Sequence, residues 1–250
     1  MAPALETTLS AGVAGRQLLD LDDTELEHVR AALDRDGLVL APDQRLSPDD
    51  LIVFTRRFGE PERFPESRAV ADLPEVCIVT NDPRQAPAQP VYWHTDGAQQ
   101  PEPPRLSFFY AARVPTSGGE TLFADARAAY DDLPDQLRTQ ISGRRAILPS
   151  GLEQPLVRRH PRTGRLAVYA DFGRTVGITG LDRDAARALL RELRAHVARP
   201  ETVCVHRWTQ GELAIWDNVA VLHSATDPGR SEGLRVMWRT TVRGEPVVPG

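Results

Sequence analysis

His94 and Asp96 stand two residues apart in Val91-Tyr92-Trp93-His94-Thr95-Asp96-Gly97. On extended chain such a pair points to one face. An imidazole beside a carboxylate supplies two donors of a metal site that lacks one more nitrogen. His223, at the end of Trp216-Asp217-Asn218-Val219-Ala220-Val221-Leu222-His223, is the candidate third donor. Two histidines and one carboxylate on one face of a metal, with other positions open, form the donor set of non-haem Fe(II) oxygenases. With six histidines in the chain, chance alone gives roughly half of one His-x-Asp pair. For the pair taken alone, a surface histidine hydrogen-bonded to its neighbour is therefore the weightier reading. Its setting favours a ligand, because the pair follows a proline-punctuated loop and the aromatic Tyr92-Trp93. Among rivals for the third donor, His28 and His196 fall in helical patterns, His160 precedes a proline, and His206 lies inside a strand beside Arg207-Trp208. His223 alone follows an apolar strand into polar sequence.

A second cluster is Arg235-Val236-Met237-Trp238-Arg239. On a strand, Arg235, Met237 and Arg239 share one face, and Val236 and Trp238 the other. Two guanidinium groups on one face repel each other unless anions lie between them or water covers them. A solvated edge strand and a pair of anion clamps, exploiting bidentate arginine bonds, both remain open at this level.

Those residues need a scaffold, and the 250 residues allow a sizeable core in a single domain spanning 1–250. The 26% charged and 41% hydrophobic residues are ordinary for a globular protein, and a net charge of −5 gives no footprint for nucleic acid. All 30 basic residues are arginine. Cys77 and Cys204 each lie in an apolar run and read as buried free thiols of a reducing compartment. No apolar run approaches 18 residues and no basic-then-apolar leader opens the chain, so a cytoplasmic protein without membrane partners is expected. A homo-oligomer is compatible with this composition.

Residues 1–19 read as a loose lead-in. Thr24-Glu25-Leu26-Glu27 resembles a capping box ahead of Leu26, Val29 and Leu33 at helical spacing. Leu38-Val39-Leu40 is a short strand, and Ser47-Pro48-Asp49-Asp50 opens a second helix that Gly59 stops. A long loop carrying Pro87 and Pro90 leads into the His-x-Asp stretch, after the strand-like 76–80. Strands are expected at 105–112 and 120–123, a helix broken near Pro134 over 124–141, and a clear helix over 182–199 with Ala185, Leu189, Leu193 and Val197 inward. Further strands follow at 202–208, 213–216, 219–222 and 234–242. A β-rich core with helices at the start and in the middle suggests a two-sheet barrel or jelly roll, with about 143–200 inserted between core strands. Gly118-Gly119 belongs to no nucleotide-binding pattern.

Several motifs in order resemble the taurine and 2,4-dichlorophenoxyacetate dioxygenase family (TauD/TfdA) over about 36–246. They are Phe58-Gly59, Trp93-His94-Thr95-Asp96, Gly118-Gly119-Glu120-Thr121, the run from Pro155 to Pro161, His206-Arg207-Trp208, Gly211 to Asn218, His223, and Arg235 to Thr240. The resemblance implies a double-stranded β-helix flanked by helices, with His94, Asp96 and His223 holding Fe(II). It further implies 2-oxoglutarate on Thr121 and Arg235, dioxygen as oxidant, and release of succinate and CO2 as an unactivated C–H is hydroxylated, desaturated or cleaved. Arg239 would meet the acidic group of a small or medium substrate, with Phe64, Gly97 and Trp238 around it, and Trp216-Asp217-Asn218 would be structural. Phe64 stands where the family's taurine enzyme carries a sulfonate-binding histidine, and Trp238 replaces the histidine usually found before the last arginine. That departure argues against taurine and for a larger, more apolar acid, of the kind found in specialised metabolism. Asp96 is a true carboxylate, which disfavours halogenation. A zinc hydrolase on the same three ligands is the alternative enzyme, and a non-catalytic binding protein a third reading. The Arg235/Thr121 pair separates them, since a hydrolase needs no dicarboxylate site.

Overall fold

The computed structural model describes residues 15–85, 91–227 and 231–250. Most of the expected lead-in, together with Pro87 and Pro90, lies outside these. Helix α1 (Asp23–Asp36) is followed by β1 (Leu38–Ala41) and α2 (Pro48–Arg56), then β2 (Ala69–Val70) and β3 (Leu73–Thr80). Next come β4 (Leu106–Arg113), β5 (Thr121–Asp125), α3 (Ala126–Asp131) and α4 (Asp135–Ile141). Five short strands follow: β6 (Arg145–Ile147), β7 (Glu153–Pro155), β8 (Val157–Arg159), β9 (Leu166–Val168) and β10 (Gly177–Ile178). Helix α5 (Arg183–Val197) precedes β11 (Val203–His206), β12 (Leu213–Asp217), β13 (Val221–Ala225) and β14 (Val236–Val242).

A large antiparallel sheet runs β1-β12-β4-β14-β3-β2, and a smaller one runs β11-β5-β13. The two form the jelly-roll core expected from the sequence. β4 and β12 look continuously apolar because both their faces are covered, yet the alternation survives in what each face meets. Phe108, Tyr110, Leu213 and Ile215 pack outward with Leu26, Val29, Leu51 and Phe54 of α1 and α2. Phe109, Ala111, Ala214 and Trp216 turn inward to join Phe123 and Met237 between the sheets. The short strands β6, β7 and β10 form one sheet and β8 with β9 another, and they pack with α3, α4 and α5 in a further apolar cluster.

Local chemistry explains the small differences from expectation. The capping box of α1 is Asp22 with Glu25, because the Asp22 side chain accepts from the Glu25 N–H while Glu25 reaches back; Thr24 is already helical. Ser47, Pro48 and Asp50 open α2 as read. In α5 the buried positions are Ala186, Leu189, Leu193, His196 and Val197, and Ala185 is exposed. A strict four-residue repeat overshoots a 3.6-residue helix, so the stripe slips by one position at its start. Residues 218–220 form the turn, and β13 begins only at Val221, which puts His223 inside the strand rather than at its end. Cys77 is buried and Cys204 half-buried, both as free thiols. No helix among the described residues is long and apolar enough to cross a membrane.

Candidate metal centre

His94 and His223 come from opposite halves of the chain and meet across one antiparallel β-bridge. Each donates its N–H to the other's carbonyl, both at 2.9 Å. Residues directly opposite in an antiparallel pair send their side chains to the same face, and the two rings lie 4.2 Å apart between centroids. The His94 segment thereby extends the small sheet beyond β13. His94 Nδ1 is 2.8 Å from the Tyr92 carbonyl; the Nδ1–H tautomer donates there and leaves Nε2 with its lone pair toward His223 and Asp96.

Two residues on, the Asp96 carboxylate completes the group. One oxygen each from Asp96 and one nitrogen each from His94 and His223 lie within 4.8 Å of one another, the one such cluster among the described residues. The carboxylate is steered from both sides: Ser107 Oγ donates to Oδ2 at 2.6 Å and Arg239 Nη1 to Oδ1 at 2.7 Å. Asn218 backs this arrangement. Its Nδ2 donates to Ser107 Oγ at 2.9 Å, while its Oδ1 accepts from Trp216 Nε1 at 3.0 Å and from the Asp96 N–H at 3.3 Å. Asp217 caps the same turn, accepting from the Val219 N–H at 2.7 Å, and lies 3.2 Å from His160 Nε2. Trp216-Asp217-Asn218 is therefore the scaffold that the sequence suggested.

Charge and burial hold these groups in ligating form. Burial works to raise the Asp96 carboxyl, but Arg239, then His223 and His94, outweigh it and keep it well below the ordinary carboxylate value. His223 is pulled down to about 3, by burial first and then by His94, so its imidazole is neutral across the physiological range. Unfolded histidine titrates near 6.5, so between those values the unfolded chain takes a proton that the folded one refuses. The stabilising contribution is complete above the unfolded value and is lost as pH falls toward the folded one. In urea unfolding of the metal-free protein, the midpoint is expected to drop between pH 7 and 4.5, and His223→Gln to flatten that drop. Parallel curves for the two proteins would contradict the assignment.

The cluster opens into a cavity of about 150 Å³ lined also by Thr121, Arg235 and Arg239. Arg235 is almost fully buried over the Phe109 ring, and desolvation brings its guanidinium down to about 10. Gly119 permits this approach, as a Cβ there would come within 3.0 Å of Arg235 Cδ. Thr121 Oγ1 accepts from Trp208 Nε1 at 3.0 Å, which leaves the hydroxyl hydrogen to donate into the cavity. Facing this pole, buried Asp171 accepts from the Arg174 N–H at 2.9 Å, and Arg174 Nε donates to Tyr92 Oη at 3.1 Å. Burial pushes the Asp171 carboxyl up, with His94 opposing.

A second cavity, of about 530 Å³, adjoins the first through Arg68, Asp96, Gly97, Gln99 and Arg239. Phe64 lines it, with the Arg239 guanidinium 5.4 Å from its ring centre. Gly97 lines both cavities; its φ of +67° and the 2.2 Å that would separate a Cβ from Pro104 Cδ make glycine necessary there. Trp238 does not join them. It stacks on Tyr110 at 5.5 Å, on the helix-covered side of β14, away from Arg239 and from both cavities. The expected contact of Trp238 with substrate is thus corrected by the strand's own alternation. Ser107 and Asp171 were missed in the sequence: a serine within an apolar strand and an aspartate after a short one carry no spacing signal that links them to His94.

Residues 1–241 match the family model described as Taurine catabolism dioxygenase TauD, TfdA family. The chain is 32% identical to pentalenolactone F synthase of Streptomyces avermitilis, over 97% of this chain and 94% of that protein. It is 32% identical to the (S)-phenoxypropionate/alpha-ketoglutarate-dioxygenase of Sphingobium herbicidovorans, covering 98% and 97%. The crystal structure of a taurine dioxygenase from Burkholderia xenovorans superimposes with a TM-score of 0.85 at 34% identity, covering 97% of this chain and 90% of that one. On these matches the chain belongs to the TauD, TfdA family of taurine catabolism dioxygenases.

Proposed function

We propose that this protein oxidises an unactivated C–H of a small, acid-bearing metabolite, with His94, Asp96 and His223 as ligands of Fe(II) and Arg235 with Thr121 as the 2-oxoglutarate site. The class itself follows from the family: a 2-oxoglutarate-dependent non-haem iron dioxygenase that uses Fe(II), 2-oxoglutarate and O2. The observation that carries the assignment is the reciprocal His94–His223 bridge with an Asp96 oxygen beside it, opening onto the cavity that Arg235 lines. A neutral His223 imidazole, the His94 Nε2 turned toward it and one carboxylate held ionised suit a divalent ion with positions left open. When bound, ferrous iron with 2-oxoglutarate and oxygen supplies the oxidising power, and succinate and CO2 leave.

The chain's own residues do the positioning. Ser107 and Asn218 fix the Asp96 carboxylate, and the Tyr92 carbonyl fixes the His94 ring. Trp208 sets the Thr121 hydroxyl to donate to a carboxylate oxygen, with Arg235 as the charged partner behind it. Arg239 reaches from the metal centre into the second cavity, where it takes the substrate's acidic group. A buried arginine pole of this kind has no use in a zinc hydrolase. The setting is taken to be the cytoplasm, where the free thiols stay reduced, and 1–250 to work as one domain.

Anaerobic titration of the apoprotein with Fe(II) and 2-oxoglutarate, followed by oxygen and a panel of acids, tests the reading. Binding of both and oxygen-dependent succinate formation are expected; an apoprotein that binds neither would sink it. Arg239→Ala is expected to weaken substrate binding by about a hundredfold, the loss of a charge-assisted pair, with 2-oxoglutarate binding changed far less. Equal losses for both ligands would count against a substrate role for Arg239.

A further inference from the structure

The second cavity holds more positive charge than one acidic group would use. Side chains alternate along β14, so Arg239, Thr241 and, just beyond the strand, Arg243 project to one side, and all three line this cavity. Glu62 and Arg68 also line it. Arg63 is there too, but it leans toward Glu75 at 3.9 Å, so it is set aside; Arg68 and Arg243 stand at the exposed rim of the cavity. Neither Arg68 nor Arg243 forms an ion pair or a side-chain hydrogen bond among the described residues, and Arg243 acts on Glu62 only through space. In the metal-free protein Arg239 pairs with Asp96 at 2.7 Å; once a metal takes the Asp96 charge, Arg68, Arg239 and Arg243 face the single carboxylate of Glu62. The excess is two positive charges, in a protein whose net charge is −5.

The position of Glu62 divides that excess. Its Oε2 accepts from Thr241 Oγ1 at 2.8 Å, and Thr241 is the residue midway between the two arginines. A carboxylate there feels both Arg239 and Arg243 and repels an acid placed between them. Two anion positions result, at the ends of about 13 Å of extended chain. We propose that the substrate is a dianion, with one acidic group at Arg239 beside the metal centre and the second at Arg243, in the cavity that Arg68 also lines. This deepens the oxygenase reading, which orients the first group. The second group is what this chain's own cavity adds, and the charge of the cavity draws such a substrate in.

Calorimetric titration of the Fe(II)-loaded protein under argon, with 2-oxoglutarate saturating so that its own site is closed, tests this directly. The probes are a chain-length series of linear dicarboxylates and the matching monocarboxylates. The best dicarboxylate is expected to bind at least about tenfold tighter than its monocarboxylate, one further charge-assisted contact, and to lose affinity more steeply as salt is added. Arg243→Ala should erase that advantage while leaving the monocarboxylate affinity as it was, and Arg243→Lys should keep part of it. Equal affinities in the native protein, no dicarboxylate binding at all, or an Arg243→Ala loss shared equally by both probes would overturn the proposal. Failure of the oxygenase reading itself would show earlier, as absence of the 2-oxoglutarate isotherm.

Discussion

Asp96→Asn is expected to lower Fe(II) affinity by more than a hundredfold and to remove succinate formation. The substitution keeps the shape of the side chain and removes its charge. Asp96 accepts one hydrogen bond on each oxygen, from Ser107 and from Arg239. An amide offers one acceptor only, so its NH2 must face one of those donors. Loss of a supporting group around a metal costs ten- to a hundredfold in affinity, and a ligating charge costs more. Arg239, 17% exposed at its side chain, also loses its counter-charge, a penalty on the order of 3 kcal/mol. Anaerobic equilibrium dialysis reads the metal, and thermal unfolding verifies that the variant remains folded. Native Fe(II) affinity in the folded variant would remove Asp96 from the ligand set.

Arg235→Gln is expected to raise the concentration of 2-oxoglutarate needed for half-saturation by about a hundredfold and to leave Fe(II) binding intact. The guanidinium is buried over Phe109 and enters the cavity beside Thr121. A charge-assisted bond to a carboxylate contributes roughly 1.5–3 kcal/mol, and a bidentate one lies at the upper end. Glutamine restores neither the charge nor the fork. Lysine should rescue only partly, since a point charge cannot match both carboxylate oxygens. Titration of the Fe(II)-loaded variant with 2-oxoglutarate decides the matter, and an unchanged half-saturation point would place the co-substrate elsewhere.

Much of the core was legible because its signals are local. Ser47-Pro48 and Asp50 announce α2, and the apolar runs of β4 and β12 announce buried strands. His94, Asp96 and His223 were reachable through residue type and order. Their convergence was not, since the bridge between His94 and His223 is a long-range pairing with no trace in either segment alone. The five strands β6 to β10 run only two or three residues each, too short for a period to appear. Trp238 is instructive in the other direction. Alternation along the 235–239 run already set it opposite Arg239, and the resemblance to a family position overrode that reading. Glu62 and Arg243 passed unremarked because surface-type residues acquire meaning only once a cavity wall collects them.

The two amide protons exchanged between His94 and His223 have a consequence for measurement. They join a segment outside the named strands to β13, so each can trade with solvent only when that edge comes undone. An ion gripping both imidazoles would clamp the same edge from its side-chain face. Deuterium uptake at these two positions should therefore slow on adding Fe(II), offering a readout of occupancy that needs neither turnover nor a known substrate.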